Sequence, residues 1–298
     1  MRVYALSRDG DDFLGFEDGG ELLDLTRAAT LYEAAHDNHF GEFYRDIEEL
    51  IDDNVFTIEY LGEVMEFVAK HGLAAHLAAG GDLTVLPPLR PGKIVALGNN
   101  YRNHIKEMNQ KLPESPVLFG KWPSTVIGPD VPIERPSWIG NMSYEAELAF
   151  IMGAEAKNVP ASEAMRYVAG YTCVNDLTAR DIQKKDIGNS LPWMQSKNFD
   201  TFCPMGPCVL LSGAVKEPVE IGVQSRVNGV LKQDGNTRDL IFDIPTVIEY
   251  ITKIMTLEPG DVVSTGTPEG VGYIVPGDII EITCAGIGTL RNPVIEPH

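Results

Sequence analysis

Residues 144–152 read YEAELAFIM. Positions two apart in a strand share a face. Glu145 and Glu147 therefore lie on one side. Ala146, Leu148, Phe150 and Met152 form an apolar opposite side that packs on a core. Working outward, YVAGYTCVND (167–176) is an apolar run ending in a polar pair, and IVALG (94–98) has the texture of a buried strand. CVLLSG, IGVQSRVNG, DVVSTGTP and DIIEITCAGIGTL follow as strands punctuated by Gly, Pro and Asp. Helical spacing is sparser, near 101–110, 162–168, 177–186 and 245–256. The fold class is α+β, strand-rich in this half.

Toward the N-terminus the texture changes. Residues 2–6, 12–16 and 21–25 read as short strands joined by DG and GG turns. Segments 27–38, 40–52 and 58–79 read as helices, the last with Leu61, Met65, Val68 and Leu73 at helical spacing. LPPLRPGK (86–93) then stops any helix, because its three prolines restrict each preceding residue. The reading divides the chain into an N-terminal α+β domain, 1–88, and a larger domain, 89–298.

Of 298 residues, 43 are Asp or Glu and 24 Lys or Arg, a net charge of −19. The first 60 residues hold 16 of the acids and 4 of the bases. Such a chain is a poor nucleic-acid ligand, since that affinity comes from cations that displace counterions. No apolar run reaches the roughly 20 residues that cross a bilayer. MRVYALSRDGDDF lacks a signal-peptide core, so a cytoplasmic location is expected. Cys173, Cys203, Cys208 and Cys284 form no CxxC pair and read as buried free thiols.

Four constellations can carry chemistry. Glu145 and Glu147 are either solvated acids on a half-exposed strand or oxygen ligands for a hard cation, which takes carboxylates at about 2.0–2.6 Å. Asn175-Asp176 opens LTARDIQKKD, where Asp176 is an N-cap or a third acid, and Arg180 and Gln183 share one helical face. His104 and Glu107 stand three apart, as a surface pair or as an acid–base dyad. STGTPEGVG (264–272) matches no phosphate loop or dinucleotide fingerprint, and is either an interstrand loop or a backbone cradle for a small anion. Trp193, Met194, Phe199 and Phe202 line a pocket or belong to the core. His36 and His39 share an i,i+3 spacing with no Cys nearby. There is no GxSxG elbow and no HExxH helix.

GNNYRNHIKEM, YEAELA, VNDLTARDIQ, SKNFDTFCPMGP and STGTPEGVG occur in that order. The combination resembles the fumarylacetoacetate hydrolase family over residues 90–296. The resemblance implies a strand-rich β-roll catalytic domain and a homodimer. It implies that Glu145, Glu147 and Asp176 hold Mg²⁺ or Mn²⁺, with Ca²⁺ as a third choice. It makes His104 and Glu107 an acid–base dyad on a mobile lid over 101–115, and places Lys197 in the catalytic set. Arg180, Gln183 and Thr267 then face the substrate, a small anionic 2-oxo acid. Hydrolytic C–C cleavage of an acylpyruvate is the first expectation. The same site would also serve isomerisation of 2-hydroxyhepta-2,4-diene-1,7-dioate or decarboxylation of oxaloacetate. A non-catalytic binding homologue is the reading from another class.

Overall fold

The computed structural model describes residues 1–18, 20–36 and 44–297. The chain opens with β1 (Arg2–Arg8), β2 (Asp11–Asp18) and β3 (Glu21–Asp24). Asp9 and Gly10 make the first turn with φ of 54° and 88°, left-handed values that Gly adopts freely and Asp tolerates. Helix α1 (Leu25–Ala35) starts at Asp24, whose carboxylate accepts from the Arg27 N–H. Helices α2 (Ile47–Asp52) and α3 (Ile58–Lys70) are capped in the same way by Asp46 and Thr57. The helices expected over 27–38 and 40–52 run into residues 37–43, which lie outside the described residues, as does His39. The helix expected over 58–79 breaks at Gly72, with φ of 64°, and resumes as the short α4 (Ala74–Leu77).

Beyond the prolines come β4 (Ile94–Gly98), α5 (Arg102–Glu107), β5 (Val117–Lys121), β6 (Ala146–Met152) and β7 (Val168–Asn175). Then follow α6 (Arg180–Gly188), α7 (Met194–Lys197), β8 (Cys203–Leu211), β9 (Gly222–Val227) and β10 (Val230–Asn236). The chain ends with α8 (Ile244–Ile254), β11 (Val262–Ser264), β12 (Ile279–Cys284) and β13 (Gly288–Ile295). The helix expected near 162–168 is a 3₁₀ helix, Ala161–Tyr167.

The main sheet runs β3-β2-β1-β8-β7-β6-β11-β4-β5. A second sheet runs β10-β9-β12-β13 and ends on the short strand Ile133–Glu134. The proline stretch at 86–93 is a divide in sequence, yet the main sheet crosses it. β1 pairs antiparallel with β8, Val3 opposite Val209. One apolar cluster likewise joins Val3, Leu14, Leu50 and Leu61 to Ala149, Ile151, Val174 and Met205. The other joins Leu148, Phe150 and Met152 to α8 and the second sheet. β6 is therefore buried on both faces, with its two acids at the entrance to the strand. All four cysteines are buried free thiols. Among the described residues no helix is long and apolar enough to cross a membrane.

Candidate active site

β6 and β7 lie antiparallel with Ala146 opposite Asn175 and Glu147 opposite Val174. This register brings Asp176, one residue past β7, against the acid pair. The Glu145 N–H donates to Asn175 Oδ1 at 3.0 Å, and the Asp176 N–H donates to the Glu145 carbonyl at 2.9 Å. Carboxylate oxygens of Glu145, Glu147 and Asp176 lie within 4.8 Å of one another, and all three residues are buried. Full burial of β6 removes the reading of Glu145 and Glu147 as solvated acids. Asp176 is no helix cap either. Thr178–Ala179 form a short strand paired with Met142–Ser143, which delays α6 to Arg180.

Three cations answer the three carboxylates. Lys197 Nζ is 2.7 Å from Glu145 Oε2 and also pairs with Asp176. Arg180 grips Glu145 through Nη2, Gln183 Oε1 through Nη1 at 2.7 Å and Ser143 Oγ through Nε at 2.6 Å. Arg180 and Gln183 thus share a helical face, as their spacing indicated. The third cation is Lys121, which sequence reasoning missed. Its Nζ lies 2.8 Å from Asp176 Oδ1 and donates to the Lys197 carbonyl at 2.7 Å. It closes the strand VLFGK, and only its 1% exposure marks it as part of the site. Lysines are almost never so buried unless paired.

Charge divides the acids. Burial alone would raise the Glu145 carboxyl, but Lys197 and Arg180 more than reverse this and hold it at about 2. Burial, then the neighbouring Asp176 and Glu145, push Glu147 well above the usual carboxylate range. Ser264 Oγ and the Gly266 N–H donate to Glu147 Oε2, the latter at 2.9 Å. Among the described residues no ammonium or guanidinium pairs with Glu147. A divalent cation beside it would offset a charge that is otherwise unmatched. The donors are carboxylate oxygens alone, a hard set that suits Mg²⁺, Mn²⁺ or Ca²⁺, whereas zinc and copper sites usually add His or Cys. The residues fit such an ion.

The remaining groups close the site from above. His104 sits on α5, buried, with Nδ1 3.5 Å from Glu107 Oε2. That gap is longer than a normal hydrogen bond. Glu107 accepts from the Gly270 N–H at 3.2 Å, and Asn103 donates to Glu269 at 3.1 Å, so α5 rests on the 264–272 loop. Thr267, in the same loop, donates its hydroxyl proton to the Ala146 carbonyl at 2.9 Å and accepts from Gln233 at 2.8 Å. To hold a carboxylate with that proton it must release Ala146. His104, Glu145, Glu147, Arg180, Lys197 and Thr267 all face one cavity of about 60 Å³. Trp193 lines it too, and Met194 lies on an outer groove. Phe202 is core, with Phe199 packed against it, ring centroids 5.0 Å apart.

Residues 93–295 match the fumarylacetoacetate (FAA) hydrolase C-terminal family. The mitochondrial oxaloacetate tautomerase fahd2 of Xenopus laevis is 34% identical over 292 residues, 95% of this chain and 85% of that protein. A 5-carboxymethyl-2-hydroxymuconate delta-isomerase from Mycobacterium smegmatis shares the fold at a TM-score of 0.74 and 33% identity, covering 100% of both chains. A fumarylacetoacetate hydrolase from psychrophilic Exiguobacterium antarcticum does so at 0.77 and 32%, again over 100% of both. Motifs, sheet order, buried acid triad and these likenesses converge: the chain belongs to the fumarylacetoacetate hydrolase family of enzymes.

Proposed function

We propose that this protein interconverts the keto and enol forms of a small 2-oxo dicarboxylic acid of the oxaloacetate class. The observation that carries this reading is the charge balance of the buried cluster of which Glu145, Glu147, Arg180 and Lys197 line the cavity. Three buried carboxylates face Lys121, Lys197 and Arg180. With all six groups ionised they sum to zero, so a bound divalent ion leaves a deficit that a dianion fills. The cavity, about 60 Å³ and open past the exposed Met108 and Ile187, holds only a few waters, which favours a short substrate over a long one.

A divalent ion at Glu145, Glu147 and Asp176 would supply Lewis-acid polarisation of the 2-oxo oxygen and stabilise the charge that develops there. The chain's own residues do the rest. Arg180 and Lys197 orient the carboxylates of the substrate. His104 takes the proton from the carbon next to the 2-oxo group and returns it to the oxygen. Glu107 faces Nδ1 and so leaves Nε2 as the transferring atom. α5 excludes water while it is closed.

The whole-chain likeness to a tautomerase and an isomerase supports proton transfer without bond cleavage. Hydrolytic C–C cleavage is the second reading, favoured by the likeness to a hydrolase over the same span. It needs room for a nucleophilic water beside the substrate. The test is a spectrophotometric assay of EDTA-stripped protein with and without Mg²⁺ or Mn²⁺. Accelerated loss of the oxaloacetate enol band, with no pyruvate formed, is the expected result. His104→Ala should lose about 10²–10⁴-fold of that rate. Release of a carboxylic acid and pyruvate from acetylpyruvate, with no effect on the enol band, would replace tautomerisation by hydrolysis.

A further inference from the structure

Two cavities meet at a pair of aromatic rings. The inner one is the charged chamber of about 60 Å³, and the outer one is an apolar groove of about 420 Å³. Phe119 and Trp193 line both, so these rings are the wall the cavities share. They meet edge to face, with centroids 5.6 Å apart and planes at 61°. Beyond them the groove is formed by Val117, Leu118, Trp122, Leu191, Pro192 and Met194. On the inner side the Trp193 indole lies on Gly98. A Cβ at Gly98 would stand 2.5 Å from Cζ3 and 2.8 Å from Cη2 of that ring. Only glycine at position 98 lets the indole seat there. Phe119 has a second engagement, the Lys197 ammonium 4.9 Å from its ring centre.

We infer that Trp193 is the specificity-determining residue of the chamber: its indole, seated on Gly98, separates a short 2-oxo acid site from an apolar groove that would otherwise take the distal group of a longer ligand. This rests on the proposed binding of a 2-oxo acid head in the inner chamber. The occupant of the groove, once opened, is the apolar tail of such a ligand. The groove shares a wall with the chamber, and among the eight residues just named only carbon-rich side chains face it. Phe119 is engaged by Lys197 as well as by Trp193, whereas Trp193 is flanked in sequence by the exposed Pro192 and Met194.

The experiment is calorimetry with Mg²⁺ and two ligands that share one head and charge, oxamate and N-phenyloxamate. The quantity read is the ratio of their affinities. Trp193→Ala should raise the ratio for N-phenyloxamate over oxamate tenfold or more, the scale that burial of a phenyl ring commands. Trp193→Phe should raise it by less. Gly98→Ala, which unseats the indole and leaves it in the chain, should move the ratio in the same direction by at least threefold. It reads the gate even if Trp193→Ala fails to fold. Oxamate binding by all folded variants with an unchanged ratio would overturn the gate and leave the site intact. So would a second copy of the chain covering the groove, since the gain would then be absent. Failure of the wild-type protein to bind oxamate with Mg²⁺ would overturn the 2-oxo acid reading itself, and the gate with it.

Discussion

Glu145 and Glu147 differ by one strand repeat, yet stand in opposite electrostatic states. Glu145 has two cationic partners and is held at about 2, against an ordinary 4.5. A lowered carboxyl stabilises the fold above its ordinary value, and that stability is lost as pH falls through the folded one. Metal-free protein should therefore lose stability between about pH 4.5 and 2, and Glu145→Gln should flatten that loss in acid-denaturation curves. Glu147 lacks such a partner, so Glu147→Ala should abolish Mn²⁺ binding by calorimetry and leave the metal-free fold standing. Lys121→Met should do the reverse. It strips one of two cations from buried Asp176 and leaves Lys197, so the cost should fall below the ~3–5 kcal/mol of breaking a lone buried pair, readable in urea unfolding. Alternation in YEAELA put two acids on one face and YTCVND ended on a third, but that the three form one set came from the family resemblance, not from the spacing. Lys121 was not legible at all. Nothing in LFGK tells a buried lysine from an exposed one, because its partners arrive from residues 176 and 197.

The elements above the triad differ in how they are held. β6 and β7 form the middle of a sheet, whereas α5 is six residues long and has no side-chain cap. Its side-chain ties to the 264–272 loop are the exposed Asn103–Glu269 and Glu107–Gly270 bonds. Such an element opens locally at low cost. Amide exchange over 102–108 should be fast in the free protein and slow by at least tenfold with Mg²⁺ and oxalate bound. Glu107→Ala should speed it, as hydrogen-exchange mass spectrometry would show. The sequence announced α5 and α6 by spacing, but placed the start of α6 at residue 177, just after Asp176. A strand pair to residues 142–143, far away in sequence, moved it to Arg180. Periodicity within one segment carries no trace of such a partner.

At the scale of the molecule, the proline stretch at 86–93 separates two textures of sequence that share one sheet and one apolar cluster. Truncating Ile151, on the β6 face that meets the N-terminal helices, should cost about 2–5 kcal/mol. Calorimetry should then show one transition moving to lower temperature, with no separate melting of residues 1–88. Pairing of β1 with β8 has a further meaning in time. Val3 leaves the ribosome long before Val209, the residue it must lie against. A contact of such sequence separation is slow to form, because the loop between its ends must be ordered first. Until β8 arrives, β1 has β2 along one side and only Thr84–Val85 against Leu6 and Ser7 on the other, so its Arg2–Val3 end is a bare ladder edge. The strand made first is thus among the last to be enclosed, and the interval is when the nascent chain is most open to pairing with the wrong edge.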